Sequence, residues 1–177
     1  SLPERYAILE LSGELRDRQR QTLAERTPDL LKQVVWLDAL PEPGLRGVIL
    51  GNEILDALPV ERFCITPAGP RRLNVEWSEA GLGWVEGAED PEVTAAVMRI
   101  EAELGRCLPD VYTSEYLPQL ESWLRAIAEP LAAGAVLLVD YGYTRREYYH
   151  PKRTTGTLLC HYRHRVHDDP LILPGLQ

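Results

Sequence analysis

Gly47-Val48-Ile49-Leu50-Gly51-Asn52-Glu53-Ile54-Leu55-Asp56-Ala57-Leu58-Pro59-Val60 is the stretch from which the fold is read. Val48-Ile49-Leu50 is a short apolar run of the kind buried on both faces of a parallel sheet. Gly51 ends it, and Asn52, Glu53 and Asp56 follow almost at once. In an open α/β sheet, ligands bind in the crevice beyond the carboxyl ends of the strands. A strand that stops in Asn-Glu therefore aims an amide and a carboxylate at that place. Taken alone, Asn52 or Asp56 reads better as a helix cap, so the functional reading depends on what surrounds the stretch.

Upstream, Tyr6-Ala7-Ile8-Leu9-Glu10-Leu11 fits another buried strand, broken by Ser12-Gly13. Glu14 to Arg26 is rich in helix formers, with Leu15 and Leu23 as apolar anchors of one face. Val34-Val35-Trp36-Leu37 is the next strand, ended by Asp38. Strand, helix, strand, loop, strand implies an α/β fold whose sheet is mostly parallel. Downstream the pattern changes. Arg62 to Thr66, Arg71 to Trp77 and Gly83 to Glu86 read as three strands separated by Pro- and Gly-rich turns, an antiparallel insert. A lid over the crevice and a plain structural insert fit it equally. Asp90 and Pro91 open a helix over Glu92 to Leu104, and Ser114 to Leu131 reads as a second helical run ended by Pro130 and Gly134. Ala135 to Val139 is a strand that runs into Asp140-Tyr141-Gly142-Tyr143, and Gly156 to Tyr162 is the last strand expected.

The net charge of −8 argues against a nucleic-acid backbone as the main partner, which needs a basic face. A local basic group does stand near the C-terminus: Arg145, Arg146, Lys152, Arg153, Arg163 and Arg165. No apolar run reaches the length of a membrane span, and no signal peptide is visible. Cys64, Cys107 and Cys160 are widely spaced and odd in number, which fits reduced thiols in a cytoplasmic protein. His161, His164 and His167, followed by Asp168 and Asp169, are metal-ligating types, but a spacing of three converges on neither a helix face nor a strand face. A polar surface or substrate-facing cluster is the favoured reading, and no metal is expected.

Acids stand at three strand ends: Glu10, Asp38 and Glu53 with its neighbour Asn52. A carboxylate there can accept the hydrogen bonds of a ribose diol. A second acid after the following strand could take an adenine amino group, with Trp36 and Leu37 beside it. Capping is the alternative for each acid singly. A glycine-rich turn normally follows the first strand of a nucleoside-binding fold. No G-x-G-x-x-G stands here, so such a loop is expected before Ser1.

Asn52-Glu53-Ile54-Leu55-Asp56-Ala57-Leu58-Pro59-Val60 closely resembles the NE-(F/L)-(F/L)-DALPV signature of the MidA-type methyltransferases, bacterial relatives of the mitochondrial complex I assembly arginine methyltransferase. Glu10-Leu11-Ser12-Gly13-Glu14-Leu15-Arg16 with Gln19 is similar to that family's E-x-S-x-x-L-R-x-x-Q, and Leu138-Val139-Asp140-Tyr141-Gly142-Tyr143 to its hydrophobic-DYG strand end. Glu147-Tyr148-Tyr149-His150-Pro151, Gly156-Thr157-Leu158 and Tyr162-Arg163-His164 continue the likeness.

The resemblance implies an S-adenosylmethionine-dependent methyltransferase with a Rossmann-like sheet, acting on a protein side chain such as arginine. Glu10 and Leu11 would hold the cofactor's ribose, and Asp38 would lie near its adenine. Asn52 would stand beside the cofactor and, with Glu53 and Asp56, form the catalytic set. Asp140 and Tyr141 would line the substrate side. One partial domain is expected: 1–60 the β/α cofactor half, 61–87 the β-meander, 88–134 a helical segment, 135–177 the strand end and Tyr/His/Arg-rich substrate side. The family's first strand and glycine loop are not in this chain, so an inactive internal fragment is expected. The strands at Tyr6 to Leu11 and Val48 to Leu50, each losing a neighbour, should pair directly or recruit another copy. The reading from a different class is a non-catalytic interaction or assembly module that keeps the fold. A nucleotide-linked oxidoreductase is disfavoured by the missing loop.

Overall fold

The structure, a computed structural model, describes residues 3–172, 174 and 175, and the side chain of Asp56 lies outside what is described. In chain order the elements are β1 (Tyr6–Leu9), α1 (Gly13–Arg26), β2 (Val34–Leu37), β3 (Leu45–Asn52), β4 (Glu61–Thr66), β5 (Gly69–Ser78), β6 (Gly81–Glu86), α2 (Pro91–Leu104), β7 (Tyr112–Tyr116), α3 (Leu120–Ala128), β8 (Leu131–Val139), α4 (Arg145–Tyr148), β9 (Cys160–Tyr162) and β10 (Arg165–His167). Short 3-10 turns cover Pro28–Gln33 and Leu55–Ala57. Two compact units result, Ser1–Leu50 with Ser122–Leu137, and Gly51–Glu121 with Leu138–Gln177.

In the first unit β1 and β2 pair in parallel, Tyr6 opposite Val34 and Leu9 opposite Leu37. The next residues along, Glu10 and Asp38, therefore leave two adjacent strand ends. The crossover between them is α1. Ser12 caps it, its hydroxyl accepting the Leu15 N–H at 3.3 Å. None of the side chains of α1 is buried. Strand β3 pairs with β8, and the Pro130 carbonyl, just ahead of β8, accepts both the Gly44 and Leu45 N–H groups, at 3.0 and 2.9 Å.

The direct pairing expected of β1 with β3 is not formed among the described residues: β1 keeps β2 and β3 keeps β8. Their apolar side chains stay open, Tyr6 52% and Val48 68% exposed. Pairing alone cannot cover side chains that stand perpendicular to the sheet.

The second unit holds an antiparallel sheet in the order β6-β5-β4-β7. Its buried core is Phe63, Val93, Val97, Ile100, Leu108, Tyr112 and Tyr149. Helix α2 supplies Val93, Val97 and Ile100, the i, i+4, i+7 stripe of an amphipathic helix. Asp90 caps that helix by accepting the Glu92 N–H at 2.9 Å. It also pairs with Arg72 at 2.8 Å, and Arg72 pairs with Glu61 as well. The hydrogen bond from Arg72 holds the Asp90 carboxyl below the usual carboxylate range. Strands β9 and β10 form a hairpin through Arg163 and His164, both at positive φ (47° and 63°), the twist that two-residue hairpin turns require.

The three strands of the antiparallel insert stand where expected, each slightly longer. A fourth was not foreseen. Tyr112–Tyr116 is strand β7, not the start of a helical run, and helix α3 occupies only Leu120–Ala128. The aromatic and β-branched residues of Tyr112-Thr113-Ser114-Glu115-Tyr116 suit a strand, and β4 offers a free edge for it, Glu61 to Ile65 against Tyr116 to Tyr112. Pro118 then delays the helix. Likewise Gly134 does not end a helix but lies inside β8, which begins already at Leu131. The expected last strand is shorter, Cys160–Tyr162. Leu173, Leu176 and Gln177 lie outside the described residues.

Gly134 has φ 141°, and a β-carbon there would overlap the Gly47 carbonyl oxygen on β3. Gly134→Ala is expected to lower stability by about 3 kcal/mol, combining backbone strain with a steric clash that neither strand can relieve alone. Urea unfolding followed by far-UV circular dichroism reads the change; an unaltered midpoint would refute the β3–β8 contact at this position.

Candidate functional site

Two groups of the sequence-identified residues fall in different units, and each is built by its own contacts. In the first unit, Glu10 and Asp38 follow β1 and β2. Arg16, on the first turns of α1, joins the two strand ends. Its Nε donates to the Glu10 carbonyl, one terminal nitrogen donates to the Leu37 carbonyl at 2.5 Å, and the other pairs with the Asp38 carboxylate at 2.7 Å. The Glu10 carboxylate is fixed separately. One oxygen accepts the Ser12 N–H at 2.9 Å and the other accepts from the Gln19 amide at 3.3 Å. Gln19 is oriented in turn by the Trp36 indole N–H, which donates to its carbonyl oxygen at 2.9 Å. The Arg20 guanidinium lies 4.7 Å above the Trp36 ring.

Each Glu10 oxygen holds one protein donor and keeps a second acceptor position. A half-buried carboxylate fixed at a strand end with spare acceptor capacity fits the two hydroxyls of a ribose. Leu11 beside it is exposed, as is the Asp38 side chain.

In the second unit, Asn52 closes β3 and Glu53 turns the chain at φ 51°, a left-handed conformation for a residue with a β-carbon. Its N–H donates to the Val139 carbonyl at 2.8 Å. The Leu55 N–H, at the start of the 3-10 turn Leu55–Ala57, donates to the Asp140 carboxylate at 3.1 Å. The other Asp140 oxygen accepts the Tyr141 N–H at 2.8 Å. Asp140 thus ties the segment after β3 to the end of β8. Asn52, Glu53 and Tyr141 are exposed. Asp56 belongs to the 3-10 turn, and the role expected of its side chain lies outside the described residues.

The structure therefore brings together Glu10 with Asp38 in one unit, and Asn52 and Glu53 with Asp140 and Tyr141 in the other. Sequence reasoning named Arg16 and Gln19 only as members of the family motif and set Trp36 beside the adenine; it did not foresee that the three orient Glu10 and Asp38. The signal was present as the i, i+3 spacing of Arg16 and Gln19, which puts both on one helix face, in the turns that follow the Ser12 cap. The three histidines are not assembled into a ligand set: among the described residues no group of three or more His, Cys, Asp or Glu side chains is placed to hold a metal ion.

Residues 2–177 match the family described as "Putative S-adenosyl-L-methionine-dependent methyltransferase". The mitochondrial protein arginine methyltransferase NDUFAF7 of Mus musculus and that of Rattus norvegicus are each 26% identical over 187 residues, covering 95% of this chain and 40% of theirs. The crystal structure of a COG1565 superfamily protein from Burkholderia thailandensis bound to S-adenosyl-homocysteine is 40% identical, with a TM-score of 0.85 over 98% of this chain and 43% of that one. A native structure of a COG1565 superfamily protein from the same organism gives a TM-score of 0.86 at 40% identity, over 98% and 45% of the two chains. The chain spans about two fifths of the length of the curated relatives it matches. With the family pattern running from residue 2 to the last residue, and Glu10, Arg16 and Gln19 built into one strand-end network, the chain belongs to the MidA-type family of S-adenosylmethionine-dependent methyltransferases.

Proposed function

We propose that this chain serves a protein methyltransferase, with an arginine side chain as the methyl acceptor. The observation that carries the reading is the fixed carboxylate of Glu10. It leaves β1 beside Asp38, and both of its oxygens are oriented by protein donors while keeping room for a ligand's hydroxyls. The Burkholderia relative with S-adenosyl-homocysteine bound supports the same assignment, and the mitochondrial relatives support an arginine acceptor. Glu10 and Leu11 hold the ribose, Asp38 lies toward the adenine and Asn52 adjoins the cofactor.

S-adenosylmethionine, when bound, supplies an electrophilic methyl group. The protein's own part is placement. Glu53, with Asp56, orients a guanidinium through charge-assisted hydrogen bonds, for which a carboxylate and a planar fork are geometrically matched. Holding the acceptor in line for displacement can account for much of the acceleration. Asp140 acts at one remove, holding the segment that carries Glu53, and Tyr141 offers an aromatic face to the substrate. The open apolar side chains of β1 and β3 support a Rossmann-like sheet in which a further strand of the protein lies between them.

Isothermal titration of S-adenosylmethionine into the full-length protein tests the roles. Glu10→Ala is expected to weaken cofactor binding about 10- to 100-fold, the loss of hydrogen bonds to a charged acceptor. Glu53→Ala should leave that affinity within about twofold and reduce methyl transfer at least about 100-fold. Loss of cofactor binding in the Glu53 variant would overturn its assignment, and absence of binding heat in the unmodified protein would leave the non-catalytic module as the better reading.

The positive φ of Glu53 gives a separate expectation. Glu53→Gly removes a left-handed β-carbon that costs about 1 kcal/mol. Its thermal midpoint should rise by about 2–4 °C while methyl transfer is lost. A lowered midpoint in differential scanning calorimetry would show that the side chain is held for stability.

A further inference from the structure

The segment from Tyr143 to Thr157 has features that the methyl-transfer reading does not use. Tyr143, Glu147, His150, Lys152, Arg153 and Thr155 line an open cavity of about 520 Å3 within the second unit. Its wall is fixed from behind. Thr113 donates its N–H to the Thr154 carbonyl at 2.9 Å, and Arg62 donates to the Thr155 carbonyl at 3.0 Å. The Thr157 N–H donates to the buried Glu115 carboxylate at 2.9 Å, and Gly156, at φ 85°, packs so tightly on that carboxylate that a β-carbon would overlap it. The Tyr149 hydroxyl donates to the Glu115 carbonyl at 3.0 Å. This stretch is therefore a preorganised surface.

The charges facing the cavity are unequally committed. Glu147, the lining acid, forms a capping box: one carboxylate oxygen accepts the Thr144 hydroxyl at 2.7 Å and the Thr144 N–H at 3.0 Å. Arg153 lays its guanidinium 4.2 Å above the Tyr143 ring, and among the described residues its hydrogen bond is from Nε to the Glu147 carbonyl at 3.3 Å. Lys152 is exposed and makes no ion pair among the described residues. Its backbone N–H donates to His150 Nδ1 at 3.2 Å, which leaves Nε2 as the ring's donor. Two cations and an imidazole donor thus share one concave surface with a hydroxyl and an aromatic ring, on a chain of net charge −8.

We propose that this cavity binds an acidic polypeptide segment, its carboxylates taken by Lys152, Arg153 and the His150 imidazole. The cavity is larger and more open than one oxyanion needs, which suits an extended chain with several side groups. Arg153 offers a planar fork for a carboxylate, and Tyr143 and Thr155 offer apolar contact and a hydrogen bond beside it. The inference does not rest on methyl transfer, because the binding it describes needs neither cofactor nor turnover.

Fluorescence anisotropy with a short labelled Glu/Ser peptide, in the full-length protein without cofactor, tests it. Binding should be at least about tenfold tighter than for the same peptide with Gln in place of Glu, and should weaken with added salt. Lys152→Glu should weaken it a further tenfold or so, while Arg165→Glu, the same charge change at an exposed site outside the cavity, should change it less than about twofold. Equal binding of the Gln peptide, or equal loss in the two charge reversals, overturns the proposal. Complete displacement by low millimolar inorganic phosphate would make this a small-anion site, and tighter binding of an oligodeoxythymidine would make it a nucleic-acid site; either result also overturns it.

Discussion

Arg16 is the contact on which the arrangement of the first unit's strand ends depends. The last carbonyls of β1 and β2 lie past the end of the parallel ladder and need donors from elsewhere. A guanidinium offers several N–H groups in one rigid plane, and Arg16 spends them on the carbonyl of Glu10, the carbonyl of Leu37 and the carboxylate of Asp38. The side chain is 20% exposed and Asp38 89%. The ion pair itself is therefore worth little, as exposed pairs are; the two carbonyl contacts matter more, because they set the spacing of the strand ends. Since α1 buries no side chain, its apolar face does not dominate its hold on the strands. Arg16 and Gln19 do that with polar contacts, and the same contacts present Glu10 and Asp38. Lysine could not replace Arg16, because a single ammonium has no fork to span two carbonyls and a carboxylate.

The second unit solves a similar problem in its interior. Glu115 is 1% exposed and pairs with Arg62 at 3.3 Å, while Arg62 stacks 4.7 Å from the Trp84 ring. Such a buried pair adds little over a well-packed apolar one, yet removing one partner costs several kcal/mol. Its effect here is to specify position. The apolar core of Phe63, Val93, Val97 and Ile100 would hold β4 against α2 with many side chains of similar size. Only hydrogen-bonding geometry tells the segment 154–157 where to lie along β7, and Glu115 supplies it through Thr157. In the second unit apolar burial sets the layers, and in both units polar groups fix where the exposed strand ends and segments lie.

This division explains what could be read from the sequence. Strands β1, β2 and β3, helices α1 and α2 and the antiparallel hairpins were legible, because each has a local signal: an apolar run, a cap such as Asp90, or a Gly- or Pro-bearing turn. Strand β7 was not. Tyr112-Thr113-Ser114-Glu115-Tyr116 carries the polar residues Thr113, Ser114 and Glu115 in its middle, and what makes it a strand is the edge of β4, far earlier in the chain. Nothing in the local sequence marks Glu115 for the same reason: its partners Arg62 and Thr157 are distant in sequence. For the candidate site, the acids at strand ends could be found because ends of strands are local features. The contacts by which Arg16, Gln19 and Trp36 orient them act across a helix and a second strand, so they appear only when the chain is folded.

The segment after β3 carries the clearest conflict between stability and chemistry. Two adjacent demands meet there. Gly51 is buried, and a β-carbon on it would collide with Ile54 and crowd Leu138, so the smallest residue stands where space is short. Glu53 takes the left-handed conformation, where glycine would be unstrained, and yet has a long charged side chain. Burial does not explain that choice, because Glu53 is exposed, and among the described contacts its backbone N–H makes the anchoring bond to Val139 while the side chain makes none. Glycine would form the same backbone bond without the strain. A carboxylate kept at a costly φ, with no side-chain partner among the described residues, is a choice that the contacts within the fold do not explain.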